Sequence, residues 1–308
     1  MKIGVTGATG FIGRYIVQEL LNQGHQLRCW YRNKSAVESV VGHADCNWIQ
    51  GELGDAGAVQ DLLDGCDAVV HSALWKPGER FQGGEGDVVE FAQRNVIGSL
   101  QLMEAARLGG VNRFVFISTC AVHDQILDDR KLDESHPLWA ASHYGAHKAA
   151  IEKFVHSFGL GSKFNVCSLR PTGVYGLMHP PENSKWFELV KNVVESKPVE
   201  VRRGGKEVHA ADVARAVQVL LMADPAITAG QSFNCYDRYV SLFEVAKLAK
   251  EMSDSKSEIQ GEPTVPKHQI ETAKLEKLGM KFGGDQLLRA TVKELVQHVA
   301  DKNAAQRR

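Results

Sequence analysis

Thr6-Gly7-Ala8-Thr9-Gly10-Phe11-Ile12-Gly13 decides how this chain folds. It follows an apolar, β-rich run over 2–6 and opens a helical pattern over 11–23. The three glycines, spaced three apart, answer separate needs: a tight turn, close approach of backbone to a pyrophosphate, and close packing of helix on sheet. The helix N-terminus adds unpaired amides and a partial positive charge that attract an anion. A glycine triplet alone is weak; set between a strand and a helix it predicts a dinucleotide site.

Beyond that turn, short Val/Ile/Phe-rich runs alternate with longer helical patterns. The runs cover 2–6, 26–31, 46–50, 68–71, 113–118 and 164–169, and the helices 11–23, 55–63, 88–108 and 143–158. Near-continuous apolar strands alternating with helices predict an α/β fold, a Rossmann-type doubly wound parallel sheet covered on both faces. Prolines and glycines cluster over 171–181, and four further helical patterns follow at 184–194, 211–222, 242–252 and 285–300. With no long linker, residues 1–171 read as a dinucleotide-binding domain. Residues 172–308 read as a small, mostly helical substrate lobe interleaved with the main sheet. The polar stretch 253–267 reads as a surface loop, and 301–308 as a frayed tail.

Composition narrows the function classes. Acidic and basic residues number 37 and 36, which argues against a nucleic-acid partner. The six cysteines form no CxxC pair and lack zinc spacing, so no metal is expected and a reducing compartment is. No apolar stretch reaches membrane-spanning length, and Met1-Lys2-Ile3 runs into a strand without a leader pattern. A cytoplasmic enzyme is expected.

Tyr144 and Lys148 stand four apart in a helical segment and share one face. Moving a hydride at a carbon requires a proton to move on the attached oxygen. A tyrosine titrates near pH 10, and a neighbouring ammonium favours its phenolate. His143 and His147 share the spacing, but no third metal ligand is evident.

The N-terminal TGxxGxxG followed far downstream by Tyr-x-x-x-Lys resembles the extended short-chain dehydrogenase/reductase superfamily, the NAD(P)-dependent epimerase/dehydratase branch. The resemblance extends to Gly51-Glu52-Leu53, Val70-His71-Ser72-Ala73, Asn95-Val96-Ile97-Gly98-Ser99, Leu169-Arg170-Pro171 and His209-Ala210-Ala211-Asp212-Val213-Ala214. It implies catalytic roles for Thr119, Tyr144 and Lys148. Asn95 is implied as a polar group near the substrate, or as a residue that stabilises its own helix. Cofactor contacts are implied at Gly7, Thr9, Gly10, Phe11, Ile12, Gly13, Arg32, Glu52, Leu53, Ser72, Ala73, Tyr144, Lys148 and Pro171. Of the two hydroxyls closing the fifth strand, Ser118 and Thr119, matching to the family pattern favours Thr119. His123 stands where relatives often carry Tyr, and Cys120 reads as packing.

The leading expectation is a redox enzyme, an epimerase above all, working at a hydroxyl or carbonyl carbon of a nucleotide sugar or similar small molecule. The alternatives are an NADPH-dependent reductase of an aldehyde, ketone or lactone, and a non-enzymatic NADP-binding sensor or scaffold. Relatives that hold nucleoside diphosphates carry an Arg where this chain has Gly205, which weighs against a nucleotide sugar. A 4,6-dehydratase is not expected, because Cys120 and Ala121 replace the Asp-Glu pair that dehydratases place after the Thr. NADP is expected over NAD: the second strand ends in Tyr31-Arg32-Asn33-Lys34, with no carboxylate for a ribose 2′-hydroxyl. The helices over 88–108 and 143–158 resemble a family dimer interface, which implies a homodimer.

Overall fold

The computed structural model describes residues 1–78 and 83–306. In chain order the strands and helices begin with β1 (Lys2–Thr6), α1 (Phe11–Asn22), β2 (Gln26–Tyr31), β3 (Cys46–Gln50), α2 (Ala56–Leu63) and β4 (Ala68–His71). Next come α3 (Val88–Ala92), α4 (Gly98–Leu108), β5 (Arg113–Ile117), α5 (His143–His156), β6 (Val166–Pro171) and β7 (Gly173–Tyr175). They are followed by α6 (Phe187–Val194), β8 (Val199–Val201), β9 (Gly204–His209), α7 (Ala210–Met222), α8 (Pro225–Thr228) and β10 (Ser232–Cys235). The chain closes with β11 (Arg238–Ser241), α9 (Leu242–Ser253), β12 (Ile259–Gly261), α10 (Ala273–Glu276) and α11 (Gly284–Gln306).

The chain divides into two compact units. The first holds Met1–Thr172, Val213–Cys235 and Ile270–Met280; the second holds Gly173–Asp212, Tyr236–Gln269 and Lys281–Arg308. In the first, seven strands form one sheet in the order β10-β6-β5-β4-β1-β2-β3. Every pairing in it is parallel. This is the Rossmann-type sheet expected from the alternating pattern. Its strand order reverses between β1 and β4, where the carboxyl ends of open α/β sheets receive ligands. Thr6 and His71 are paired there. One face is sealed by Val59, Leu62, Leu102, Met103, Ile151 and Val155, packed on Val69, Phe114, Phe116 and Val166.

The second unit pairs β11, β9 and β7 in one sheet and β12 with β8 in another. Its core joins α6, α9 and α11 through Val190, Val245, Leu248, Val292 and Leu295.

Several boundaries differ from the sequence reading. β5 stops at Ile117, because Thr119 turns out of the sheet and its hydroxyl caps the next turn by accepting from Ala121 N. β12 lies inside the stretch expected as loop. The tail expected to fray continues α11 through Gln306. Between α3 and α4 the helix widens into a π-turn over Gln93–Ile97, which no 3.6-residue period reveals.

Candidate active site

The turn after β1 has the predicted form. Gly7 takes φ +70°, and a Cβ on it would stand 2.7 Å from Ala73 N. A Cβ on Gly13 would stand 2.0 Å from Gly7 O, so α1 packs on the turn only if residue 13 has no side chain. Gly10 differs: its added Cβ would meet Gly7 O alone, at 3.1 Å. Gly10 is also the N-cap of α1, and no side chain caps that helix. Its first amides remain available, with Thr9 before them and Phe11 and Ile12 behind. The cradle suits a pyrophosphate.

Beside it, Ser72 Oγ donates to Thr6 O at 2.7 Å, and Ala73 N donates to Thr6 Oγ1 at 3.2 Å. At the far end of the sheet, Glu52 and Leu53 line an open cavity of about 720 Å³ together with Val89, Gln93 and Arg94. Arg94 pairs with Glu52 at 3.7 Å and lies over the Trp75 ring at 5.0 Å. Arg32 follows β2, exposed, with no ion-pair partner among the described residues. Pro171 ends β6, buried.

α5 carries Tyr144 and Lys148. Ser142 starts it, its hydroxyl accepting from Gly145 N at 3.1 Å. Gly145 allows that end to reach the loop after β5, since a Cβ there would meet Ala121 O at 2.5 Å. The approach brings the half-buried Tyr144 hydroxyl into hydrogen bonding with the Thr119 side chain. Burial raises the Tyr144 pKa, and the bond to Thr119 opposes that rise.

Lys148 is buried, and its Nζ donates to Ile117 O at 2.7 Å over the face of Phe116. Burial drives its pKa down to about 7, against the pull of Glu152. The expected stabilisation of a Tyr144 phenolate by a neighbouring ammonium is not what the geometry displays. The amine is turned to a backbone carbonyl, and burial costs it charge.

Asn95 sits in the π-turn, buried, with its side chain spent on backbone. Its Oδ1 accepts from Trp75 N at 2.8 Å, while Nδ2 donates to Trp75 O at 2.9 Å and to Phe91 O at 3.0 Å. It fastens the segment after β4. His123 Nδ1 donates to Pro137 O, and its Nε2 faces Arg170 Nη1 at 3.3 Å. Since a guanidinium only donates, that imidazole is neutral, and burial with Arg170 brings its pKa down to about 4. Cys120 donates its thiol proton to Arg170 O, and burial pushes the thiol up to about 12.

Two groups escaped the sequence reading. Glu85 is buried, and its Oε1 accepts from Tyr144 N at 3.1 Å. Glu152 lies beneath Lys148 with its carboxylate bound by Arg170. The second carries a readable signal, since 144, 148 and 152 repeat by four.

A model of the NAD dependent epimerase/dehydratase family matches residues 3–235. A 3 beta-hydroxysteroid dehydrogenase/Delta 5-->4-isomerase of Mycobacterium tuberculosis is 29% identical over 198 residues, covering 61% of this chain and 51% of that protein. A dTDP-glucose 4,6-dehydratase of Xanthomonas campestris is 31% identical over 225 residues, covering 67% of this chain and 62% of that protein. The chain thus spans about half to three-fifths of the length of these relatives. In fold it is similar to UDP-glucuronic acid 4-epimerase of Bacillus cereus, solved with UDP-glucuronic acid and NAD. That likeness has a TM-score of 0.78 and 21% identity, over 98% of this chain and 99% of that one.

The dehydratase relative overturns the expectation that this chain is not a 4,6-dehydratase. That exclusion rested on Cys120 and Ala121. An acid or base is defined by its place beside the substrate, not by its distance in sequence from a threonine. With the matched region running through the glycine turn, Thr119, Tyr144 and Lys148, the chain belongs to the NAD dependent epimerase/dehydratase family.

Proposed function

We propose that the chain is an enzyme that oxidises or reduces a hydroxyl or carbonyl carbon of a nucleotide sugar, with Tyr144 as the acid/base. The observation that carries this is the placement of Tyr144 and Lys148 one turn apart on α5, with Lys148 Nζ bonded to Ile117 O at the strand end that leads into Thr119. Thr119 orients the substrate oxygen; Tyr144 exchanges a proton with it; Lys148 holds the ribose side of the cofactor. The nicotinamide, when bound, supplies or accepts the hydride. Its pyrophosphate fits the uncapped start of α1, in the tight turn that Gly7 and Gly13 allow by lacking a Cβ. In this reading the unit of Met1–Thr172, Val213–Cys235 and Ile270–Met280 is the dinucleotide-binding part, wider than the expected 1–171, and the rest of the expected 172–308 lobe binds the substrate.

The finer cofactor choice is NADP. Arg32 is exposed and without an ion-pair partner among the described residues, and Lys34 is exposed beside it. No carboxylate ends β2. The fold neighbour holds NAD, so this chain would differ from it at the adenosine end. A homodimer is part of the proposal, supported by exposed Val89, Ile97, Leu108 and Phe154 on α3, the π-turn, α4 and α5. All six cysteines are free, which suits a reducing compartment such as the cytoplasm.

One observation favours a second reading, a reductase of a non-nucleotide aldehyde, ketone or lactone. At Gly205, where an Arg for a diphosphate would stand, a Cβ would meet Glu207 Oε1 at 2.2 Å. Glu207 is buried and paired with Lys185 at 2.5 Å, so an acid occupies that neighbourhood. The experiment is to supply the chain with NAD or NADP and a panel of UDP- and dTDP-hexoses, and separately with NADH or NADPH and simple aldehydes, ketones and lactones, then identify products by mass and NMR. An altered nucleotide sugar supports the first reading. Cofactor oxidation with simple carbonyls alone supports the second.

A further inference from the structure

We propose that Glu152 is the positioning residue of this site, the buried carboxylate that fixes the Tyr144–Lys148 helix to the strand end carrying Thr119. The inference rests on the reading of Tyr144, Lys148 and Thr119 as the reacting set.

Glu152 is 0% exposed and Arg170 is 1% exposed. Four elements meet on the one carboxylate. From the residue directly after β5, Ser118 Oγ donates to Oε1 at 2.5 Å. From β6, Arg170 Nε lies 3.0 Å from both oxygens, and Nη2 donates to Oε2 at 2.6 Å. From β10, Ser232 Oγ donates to Oε2 at 3.1 Å, and that hydroxyl in turn accepts from Ser168 Oγ at 2.7 Å. The fourth element is α5, which carries Glu152 one turn beyond Lys148.

The two bonds from α5 to the end of β5 and the residue after it fall on adjacent positions. Lys148 Nζ holds Ile117 O, and Glu152 holds Ser118 Oγ; Thr119 follows at once. The strand end is therefore clamped twice, immediately before the hydroxyl that meets Tyr144. Arg170 extends the clamp to the loop after β5, through His123 Nε2 and Glu134 O, both at 3.3 Å. A buried ion pair is poor value for stability alone, because desolvation offsets most of the attraction. Full satisfaction from four elements is what a geometric role requires.

Glu152 also acts on the charge of Lys148. Acting on that amine are His147 and Glu152 from its own helix, His71 from β4, and the Phe116 ring and Ile117 O from β5; Arg170 of β6 lies behind the carboxylate. Burial first, and Lys148 second, bring His71 and His147 down to about 3, so neither is charged near neutrality. Glu152 is the group that raises the Lys148 pKa against burial.

The test labels lysine Cε with 13C, assigns Lys148 by comparison with Lys148→Ala, and follows its shift with pH. Wild-type chain should titrate with a midpoint near 7. In Glu152→Gln the midpoint should fall by about one unit or more, the effect of losing a neighbouring opposite charge. Glu152→Asp should recover part of the shift. The double variant Glu152→Gln/Arg170→Gln leaves no buried charge unpaired and serves if the single variant does not fold; its midpoint should also fall, by less. An unchanged midpoint in whichever variant folds overturns the proposal. Fluorescence titration of NADPH and NADH runs in parallel. Binding failure with a moving midpoint sinks the functional reading only, and binding with a fixed midpoint sinks the role of Glu152 only.

Discussion

Thr6 Oγ1 and His71 Nδ1 lie 2.7 Å apart at the paired ends of β1 and β4, both fully buried. The neighbours settle where the protons are. Ser99 donates to Asn95 O at 2.5 Å, so at the 2.8 Å contact His71 Nε2 must donate to Ser99 Oγ. Nδ1 then accepts from Thr6, whose oxygen accepts in turn from Ala73 N. His71 is a neutral imidazole in a single tautomer, joining the glycine turn to the helix that carries Asn95.

Acid should therefore loosen the fold early. Burial holds His71 and His147 at about 3 and His123 at about 4, whereas an unfolded histidine titrates near 6.5. Between those values the unfolded chain binds protons that the folded chain refuses, so stability falls as pH drops from about 6.5 toward about 4. Urea unfolding across that window should show an uptake approaching about three protons. A stability that stays flat from pH 7 to 4.5 contradicts these neutral assignments.

The glycines of the turn should separate by function. Gly13→Ala forces a Cβ into Gly7 O and should cost about 1–3 kcal/mol, seen as a lowered Tm. Gly10→Ala meets only Gly7 O, at 3.1 Å, a contact that a shift of a few tenths of an ångström relieves, and should lower Tm by no more than about 4 °C. Its methyl group intrudes where the pyrophosphate must lie, so dinucleotide affinity should drop at least about tenfold, a loss of about 1.4 kcal/mol. Equal affinity for Gly10→Ala and wild type would falsify the placement of the phosphate site.

Arg32→Ala should weaken NADP binding by about ten- to a hundredfold, the worth of one or two charge-assisted hydrogen bonds. NAD binding should hardly move. Isothermal titration of both cofactors decides it; tighter NAD binding by the wild-type chain would reject the NADP assignment outright.

Tyr144→Phe keeps the ring that packs on His147 with centroids 5.4 Å apart, but loses the hydroxyl. Turnover on whichever substrate the product screen identifies should fall by about two to four orders of magnitude. Cofactor affinity should stay within about twofold, because the ring and Lys148 remain. Retention of more than about a tenth of turnover, with chemistry rate-limiting, removes Tyr144 from its role.

The parallel sheet was legible because its strands are uninterrupted apolar runs with a strong local signal. β10 was not: Ser232-Phe233-Asn234-Cys235 is four residues long and half polar, and it becomes a strand by pairing with β6, more than sixty positions earlier. The Tyr144–Lys148 spacing is local and readable. The partners that give it meaning are remote: Arg170 for Glu152, Glu85 for Tyr144 N, Thr6 for His71. The π-turn escaped for another reason, since an extra residue in one turn leaves composition and caps unchanged. Dehydratase chemistry was discounted from two neighbouring side chains, although catalytic groups are gathered by the fold rather than by adjacency.

The lysine's anchor is an atom that every residue type possesses. Because Lys148 holds the main-chain oxygen of residue 117, exchanging isoleucine for valine or leucine leaves the acceptor in place. A mutational scan would score position 117 as a tolerant apolar site and give no hint that the amine is moored there. The mooring is inherited with the strand itself, and it is lost only when the backbone moves.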